Sequence, residues 1–450
     1  MQLPLFCKKV SPLLLPSAVY LLSFPPFNLF PLMWLFPPLL TKSIDGVVSW
    51  KERFLRGLLT GILINLGLFW WLGIAIRIGE GNAGTVLAAL LFLAVYQGLF
   101  FALFSVFSYF FISPFLLAAL FTLIESARIY LGGFPLGIVA ASQASFLPLA
   151  QAAAFSGVAG ITFMIFFVSL SIFERRERRI AIPLFSAALI YGLIQLRTDN
   201  TSGREISVAL LQGGIRQEMK WNREYEEKIL NTYEELMSIA GKNSPDLIVW
   251  PEAALPGILS ARYRLYLRKT MLYSPASSLL VGSVLYRDGK MYNTAVFFSP
   301  GENKEQVYYK LNLVPFGEYV PLRDILSPFF PVLNELGDIS PGKDPVTFSV
   351  KGVRIVNQIC FESLLPSHAK KIGKPGLLVN ITNDAWFDDS PGSMIHFQHA
   401  RFRAIENGCP LIFCNNAGLS AVVDARGRII ARSSSFFEKE AVFAKIRIQS

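Results

Sequence analysis

The stretch Val353-Arg-Ile-Val-Asn-Gln-Ile359, followed by Cys360-Phe361-Glu362, is an apolar run of strand length that ends on a thiol. Its β-branched residues and its length predict a buried strand. A second run, Asp246-Leu-Ile-Val-Trp-Pro-Glu252, likewise places a carboxylate just past a strand, where active sites of α/β proteins usually lie. Pro251 fixes the backbone before it. In Tyr308-Tyr-Lys310-Leu-Asn-Leu-Val-Pro-Phe-Gly-Glu318, aromatics, Pro315 and Gly317 frame a lysine. Taken singly, the cysteine reads as a small core hydrophobe, the glutamate as a cap or ion-pair partner, and the lysine as a snorkelling surface residue. Together they offer a nucleophile with both a cation to lower its pKa and a base to remove its proton.

Working outward, residues 205 onward alternate short β-branched runs with polar helical stretches. Strands are expected at 206–211, 246–250, 278–285, 293–299, 353–359, 376–381, 411–414, and as a pair at 420–424 and 428–432 around Arg426-Gly427. Tyr225, Ile229, Tyr233, Leu236, Met237 and Ala240 repeat at helical spacing within 222–240, and a second helix is expected over 394–407. Buried strands alternating with helices predict a layered α/β domain.

The part before it differs in kind. Across 450 residues the chain is 52% hydrophobic and only 16% charged, more apolar than soluble proteins usually are. Residues 1–200 hold 13 Lys+Arg and 7 Asp+Glu, against 29 and 25 in the rest. Apolar stretches run over 11–24, 29–41, 57–77, 84–111, 115–132, 149–173 and 180–197; most approach or exceed the ~20 residues that cross a bilayer. The first two are short and interrupted by prolines, which also suits a re-entrant hairpin. Lys8 and Lys9 before an apolar run resemble a signal peptide, but no small-residue cleavage site follows. The expected organisation is thus a helical membrane domain over 1–198, of about seven spans, and an α/β domain over 199–450.

If all seven stretches cross, one side of the bilayer collects Lys8, Lys9, Lys42, Lys51, Arg53, Arg56, Arg175, Arg176, Arg178 and Arg179, and the other Arg77, Arg128 and Arg197. The excess marks the cytoplasmic side and puts everything after residue 198 outside. Glu125 and Arg128, three residues apart on one helical face, are charges at membrane depth, equally readable as a functional site or as a mutually satisfied pair. The net charge of +10 divides between both halves, and the α/β half has no basic stripe with interleaved aromatics, so no nucleic-acid partner is expected. Four scattered cysteines and three histidines, with no CxxC pair, give no reason to expect a metal or other cofactor.

These residues resemble the nitrilase superfamily and, within it, the membrane-bound apolipoprotein N-acyltransferase family. The resemblance covers nearly the whole chain. It rests on Leu211-Gln212-Gly213 with Lys220-Trp221, Trp250-Pro251-Glu252, Lys310 with Leu313-Val-Pro-Phe-Gly-Glu-Tyr-Val-Pro321, Cys360-Phe-Glu362, Asn383-Asp-Ala-Trp-Phe387, His399-Ala-Arg-Phe-Arg-Ala-Ile-Glu406 and Asn415-Asn-Ala-Gly418. It implies an αββα sandwich with a Glu252, Lys310, Cys360 triad. Glu318, Phe361 and Glu362 would support the triad, and Trp221 and Trp386, with Phe361, would line the route of an acyl chain. The chain departs from the family at Phe361, where Tyr is usual; at Cys409, where a basic residue is expected; and over Phe436 to Ser450, which alternates like a strand where the family has an eighth span.

The implied activity is transfer of a fatty acyl chain from a phospholipid, through a thioester on Cys360, to the N-terminal amine of a diacylglyceryl-cysteine apolipoprotein. It would take place on the outer face of a bacterial inner membrane, without a cofactor. Two other readings stand beside it: a membrane-tethered nitrilase or amidase that hydrolyses small C–N substrates through the same triad, and a non-enzymatic membrane scaffold.

Overall fold

The computed structural model describes residues 5–79, 81–130, 134–198, 203–302, 304–326, 328 and 339–448. Its contacts divide the chain into two compact units, one of residues 1–198 with 390–406 and one of residues 199–389 with 407–450. The expected boundary at 198/199 abuts residues 199–202, which lie outside the described ones. Helix Gly392–Asn407, expected to belong to the α/β domain, falls almost entirely within the first unit.

The first unit is helical. Helices Ala83–Phe107, Ala153–Ser171 and Arg175–Arg197 belong to segments long and apolar enough to cross a membrane. Trp50–Phe69 and Leu72–Ile78 are bent by 57° at a short break and give a fourth if counted as one span. Among the described residues, length and composition therefore support three or four crossings. The first of the seven apolar stretches falls in helix Leu5–Leu22, and the second breaks into a 3-10 turn and helix Phe36–Ile44 where prolines interrupt it.

Helices Trp50–Phe69 and Ala83–Phe107 meet on glycines. A Cβ on Gly57 would lie 2.4 Å from Ser105 Oγ, and one on Gly61 would lie 2.6 Å from Gly98 Cα. Backbones this close need the small-xxx-small spacing found between membrane helices.

Before the 3-10 turn Val139–Ser145 that follows helix Pro114–Tyr130, the described residues 134–138 are non-helical and largely buried, and four side chains bond to the backbone there or at Val139. Arg128 donates to Leu136 O, Tyr20 donates to Gly137 O, Gly137 N–H donates to His399 Nε2, and Val139 N–H donates to Glu125 Oε1. Irregular backbone among apolar helices is stable only when its polar groups are paired in this way. Glu125 also accepts from Thr162, and Arg128 also donates to Gln97. The two charges thus serve this loop and its surroundings.

The second unit contains two six-stranded sheets. Its strands are β1 (Arg204–Gln212), β2 (Leu247–Val249), β3 (Ser278–Arg287), β4 (Lys290–Phe298), β5 (Gln306–Tyr309), β6 (Thr347–Val350), β7 (Val353–Ile359), β8 (Leu377–Thr382), β9 (Leu411–Asn415), β10 (Ala421–Val423), β11 (Ile429–Arg432) and β12 (Glu440–Ile448). The sheet orders are β12-β1-β2-β3-β4-β5 and β11-β10-β9-β8-β7-β6. Both sheets share one pattern: an antiparallel edge strand, a parallel triplet (β1–β2–β3 or β7–β8–β9), then two antiparallel strands. The strand-like C-terminal segment is β12, which pairs with β1 along its whole length.

Side chains cross between the sheets: Phe297 stacks on Phe348 at 4.7 Å, and the Cys414 thiol reaches Val249 O at 3.3 Å. Helix Glu226–Gly241 lays Ile229, Tyr233, Leu236, Met237 and Ala240 on the first sheet, the face its periodicity predicts.

Candidate active site

The three chemistry-bearing residues follow the first sheet's middle parallel strand, β5, and β7. Glu252 is held by its neighbours in the chain. Trp250 is fully buried and stacks on Tyr233 at 4.4 Å, its N–H donates to Leu280 O, and Ala254 N–H donates to Gly282 O. Gly282 has no side chain to spare: a Cβ there would lie 2.2 Å from Pro251 O and 2.5 Å from Glu252 Cα. The turn therefore lies directly against β3, and Ala253 closes it at φ +45°, a left-handed conformation that costs a non-glycine residue energy.

Lys310 is 1% exposed, with Nζ 2.8 Å from Glu318 Oε2 and 3.7 Å from Glu252 Oε1. Its own N–H donates to Asn293 O. The Nδ2 of Asn293 lies 2.6 Å from Glu252 Oε1 and 2.9 Å from Glu318 Oε1, so one amide bridges the two carboxylates. Val314 N–H donates to Glu318 Oε2 at 2.9 Å.

Burial alone would push Lys310 down, but the carboxylates of Glu318 and Glu252 overcome it and hold the ammonium above its ordinary range. Burial works against Glu318 too, yet Lys310, Asn293 and the Val314 N–H keep it below the usual carboxylate range. Glu252 goes the other way: burial raises it, Glu318 adds to this, and Lys310, Asn293 and Lys220 only partly compensate. One carboxylate is thus a fixed counter-ion and the other a ready proton acceptor.

Cys360 is half-buried, at the turn from β7 into the short helix Cys360–Leu364, with φ at +52°. A nucleophile on a strained strand-to-helix turn is lifted clear of its sheet. Burial pushes the thiol well above its ordinary pKa, Glu252 adds to this, and Lys310 opposes it. The cation does not make a resting thiolate, so the thiol needs a base, and Glu252 has the matching properties.

The supporting residues divide. Glu318 holds Lys310, whereas Glu362, fully buried, accepts from Tyr308 Oη and from the N–H groups of Ile359, Leu311 and Asn312. It ties the loop after Lys310 to the Cys360 turn. Phe361 is 8% exposed and packs largely inside; Trp221 and Trp386 are 46% and 37% exposed. Cys409 is buried in the core.

The sequence reading missed the roles of Asn293 and Lys220. A lone asparagine among the buried residues of a strand is the available signal for the first; the Lys220-Trp221 pair marks the second without giving its lysine a role. Past the second sheet's strands, Asn383 links to Gln217 at 2.8 Å and accepts from Asn416 at 2.8 Å, and Asp384 accepts from Asn415 at 2.7 Å. These bonds join the strand-end loops of both sheets.

Two family models match the chain. Residues 207–450 match the model described as carbon-nitrogen hydrolase, and residues 17–171 match the apolipoprotein N-acyltransferase N-terminal domain. The second unit is thus a carbon-nitrogen hydrolase domain, the nitrilase-superfamily αββα class. A CN-hydrolase superfamily protein from Xanthomonas campestris aligns with a TM-score of 0.42 and 18% identity, over 55% of this chain and 91% of that one.

Among curated proteins, the apolipoprotein N-acyltransferase of Nitrosomonas europaea is 33% identical over 92% of this chain and 86% of its own length. That of Aquifex aeolicus is 32% identical over 94% and 95%. The chain belongs to the apolipoprotein N-acyltransferase family. With its apolar helices of spanning length, it is a membrane protein.

Proposed function

We propose that this chain moves a fatty acyl group from a phospholipid to the N-terminal amine of a diacylglyceryl-cysteine apolipoprotein, with Cys360 carrying the acyl group between them. Glu252 takes the thiol proton as Sγ attacks the ester carbonyl. Lys310 stabilises the tetrahedral oxyanion, a contribution of ~3–4 kcal/mol for one well-placed donor in comparable sites. The C–O bond breaks, the proton passes from Glu252 to the departing alkoxide, and a lysophospholipid leaves a thioester on Cys360. The acceptor amine then attacks that carbonyl, Glu252 takes its proton, and the thiolate leaves and is reprotonated as the amide forms.

The observation that carries this reading is the buried Glu252–Lys310–Glu318 set, in electrostatic contact with the Cys360 thiol. Fixed counter-ion, proton acceptor and neutral nucleophile are separate groups there, as acyl transfer by general base requires. The membrane helices favour a lipid donor. Each buried CH₂ of an acyl chain is worth ~0.8 kcal/mol, so a donor whose chain stays in apolar surroundings avoids a large extraction cost.

Trp221 and Trp386 are proposed to line the acyl-chain route, and Phe361 to contribute the N–H that assists Lys310. With all seven apolar stretches crossing, the excess of Lys and Arg on one side supports a multi-pass protein of the bacterial inner membrane with the hydrolase domain outside. Incubation of the full-length protein with phospholipid and a diacylglyceryl lipopeptide tests the proposal. N-acylated lipopeptide and lysophospholipid in equal amounts support it, whereas rapid hydrolysis of small amides without either product favours an amidase.

A further inference from the structure

Lys220 is 7% exposed, and its ammonium is spent on backbone: Nζ lies 2.9 Å from Ala253 O and 3.3 Å from Glu252 O. Those carbonyls belong to the turn that presents the Glu252 side chain, which Gly282 supports from β3 and which Ala253 closes at φ +45°. A strained turn persists only where its surroundings over-determine it. A buried cation on two of its carbonyls is such a restraint, since hydrogen bonds from a charged donor are roughly twice as strong as neutral ones.

We propose that Lys220 is a positioning residue for acyl transfer, clamping the turn that carries Glu252 and supplying the second cation that balances the carboxylates of Glu252 and Glu318. The proposal rests on the reading of Glu252 as the base. With Lys310 and Lys220 against Glu252 and Glu318, the charges sum to zero before the substrate arrives. Removing one cation would leave a carboxylate under-compensated, in the surroundings where that costs most.

The charged group facing Lys220 is Glu252, which is itself faced by Lys310 from the end of β5, by Glu318 from the following loop and by the Cys360 thiol after β7. Burial pushes Lys220 down to about 7, with Glu252 opposing. Below that pH the ammonium is present and the clamp is charged. As pH rises through it, the charge is lost and Glu252 loses a stabilising neighbour. An arginine in its place stays charged throughout.

The test uses the full-length protein in detergent micelles containing phospholipid, with a diacylglyceryl lipopeptide as acceptor. Rates are measured across about pH 5.5–9 for wild type, K220R and K220M, beside the acyl-Cys360 adduct seen by peptide mass analysis. Wild type should lose activity as pH rises above about 7, and K220R should hold its rate there. K220M should lose roughly 10–100-fold in kcat, with KM changed less than about twofold and no alkaline limb. Folding of each variant is read from its thermal transition.

K220M with wild-type kcat and the wild-type pH profile, or a folded K220R that keeps the wild-type alkaline limb, overturns the proposal. If neither variant folds, wild type decides: the decline above about pH 7 supports the clamp, and a flat profile to about pH 8.5 overturns it. Wild type that forms no Cys360 adduct at any pH would instead show that the underlying site reading has failed.

Discussion

Asn293 donates to Glu252 at 2.6 Å and, from the same nitrogen, to Glu318 at 2.9 Å, so one side chain sets the spacing of two carboxylates whose pKa values move in opposite directions. It stands on β4, and the Lys310 N–H donates to its carbonyl. The same residue therefore places the cation. Asn293→Ala removes these side-chain bonds and leaves both carboxylates less satisfied, an expected cost of about 1–3 kcal/mol for each buried group left without its partner. Activity should fall roughly 10–100-fold, with KM for the acceptor little changed. Steady-state kinetics beside a denaturant titration checks both.

The rate should fall on the acid side as Glu252 is protonated. Burial raises this group above 4.5, so the limb should lie above that value, with the rate lost as pH drops through it. The Asn293 hydrogen bond lowers the Glu252 pKa, so Asn293→Ala should move the limb to higher pH. A limb at or below the ordinary carboxylate value would count against Glu252 as the base.

Glu318 makes the opposite prediction for stability. Its pKa in the folded protein is depressed below 4.5, so its contribution is present above the unfolded value and lost as pH falls through the folded one. Glu318→Ala deprives buried Lys310 of its nearest partner, at about 3–5 kcal/mol for breaking a buried pair. It should flatten the acid limb of stability. Unfolding midpoints of both proteins, measured from neutral pH downward, check this.

Gly282→Ala tests the turn from its other side. A methyl group 2.2 Å from Pro251 O must displace the Glu252 turn. A shift of an ångström at a catalytic group is worth about 100-fold in rate, so kcat should fall by that order while the Cys360 side of the site is untouched. Reactivity of Cys360 toward a small alkylating reagent, compared with turnover, separates the two.

His399→Ala should destabilise the first unit, because the buried Gly137 N–H loses its acceptor. The expected loss is about 1–3 kcal/mol, read as a lower midpoint in thermal unfolding in detergent.

The strands that present Glu252 and Cys360 are legible in the sequence, whereas β5, which presents Lys310, is not. The expected 353–359 and the observed β7 coincide, and β2, β3, β8 and β9 fall within a few residues of their expected ranges. Both signals, β-branched composition and a sudden polar residue at the strand end, are local. Strands β5 and β6, four residues each, and helix Ala261–Thr270 were not read. The two strands are too short to show a period, and the helix carries four Arg or Lys among its ten residues and only three buried positions.

The roles of Asn293 and Lys220 were illegible for a different reason. Each reaches a group far off in sequence, Lys220 across 32 residues to Glu252 O and Asn293 across 41 to its carboxylate, and only the folded sheet and the loop after β1 bring them there. Glu125 and Arg128 show the same limit. Their helical spacing suggested either function or mutual pairing, but each instead holds backbone of the loop between Leu136 and Val139.

Peptide mass analysis of the full-length protein after incubation with phospholipid alone tests the central claim most directly. The account predicts a fatty-acyl mass on the Cys360 peptide, labile to hydroxylamine as a thioester is, and discharged when the diacylglyceryl lipopeptide is added. It predicts no adduct in Cys360→Ser or Glu252→Gln protein that keeps its thermal transition. Turnover to N-acylated lipopeptide in a Cys360→Ala protein, or an acyl adduct that the acceptor cannot discharge, would contradict it.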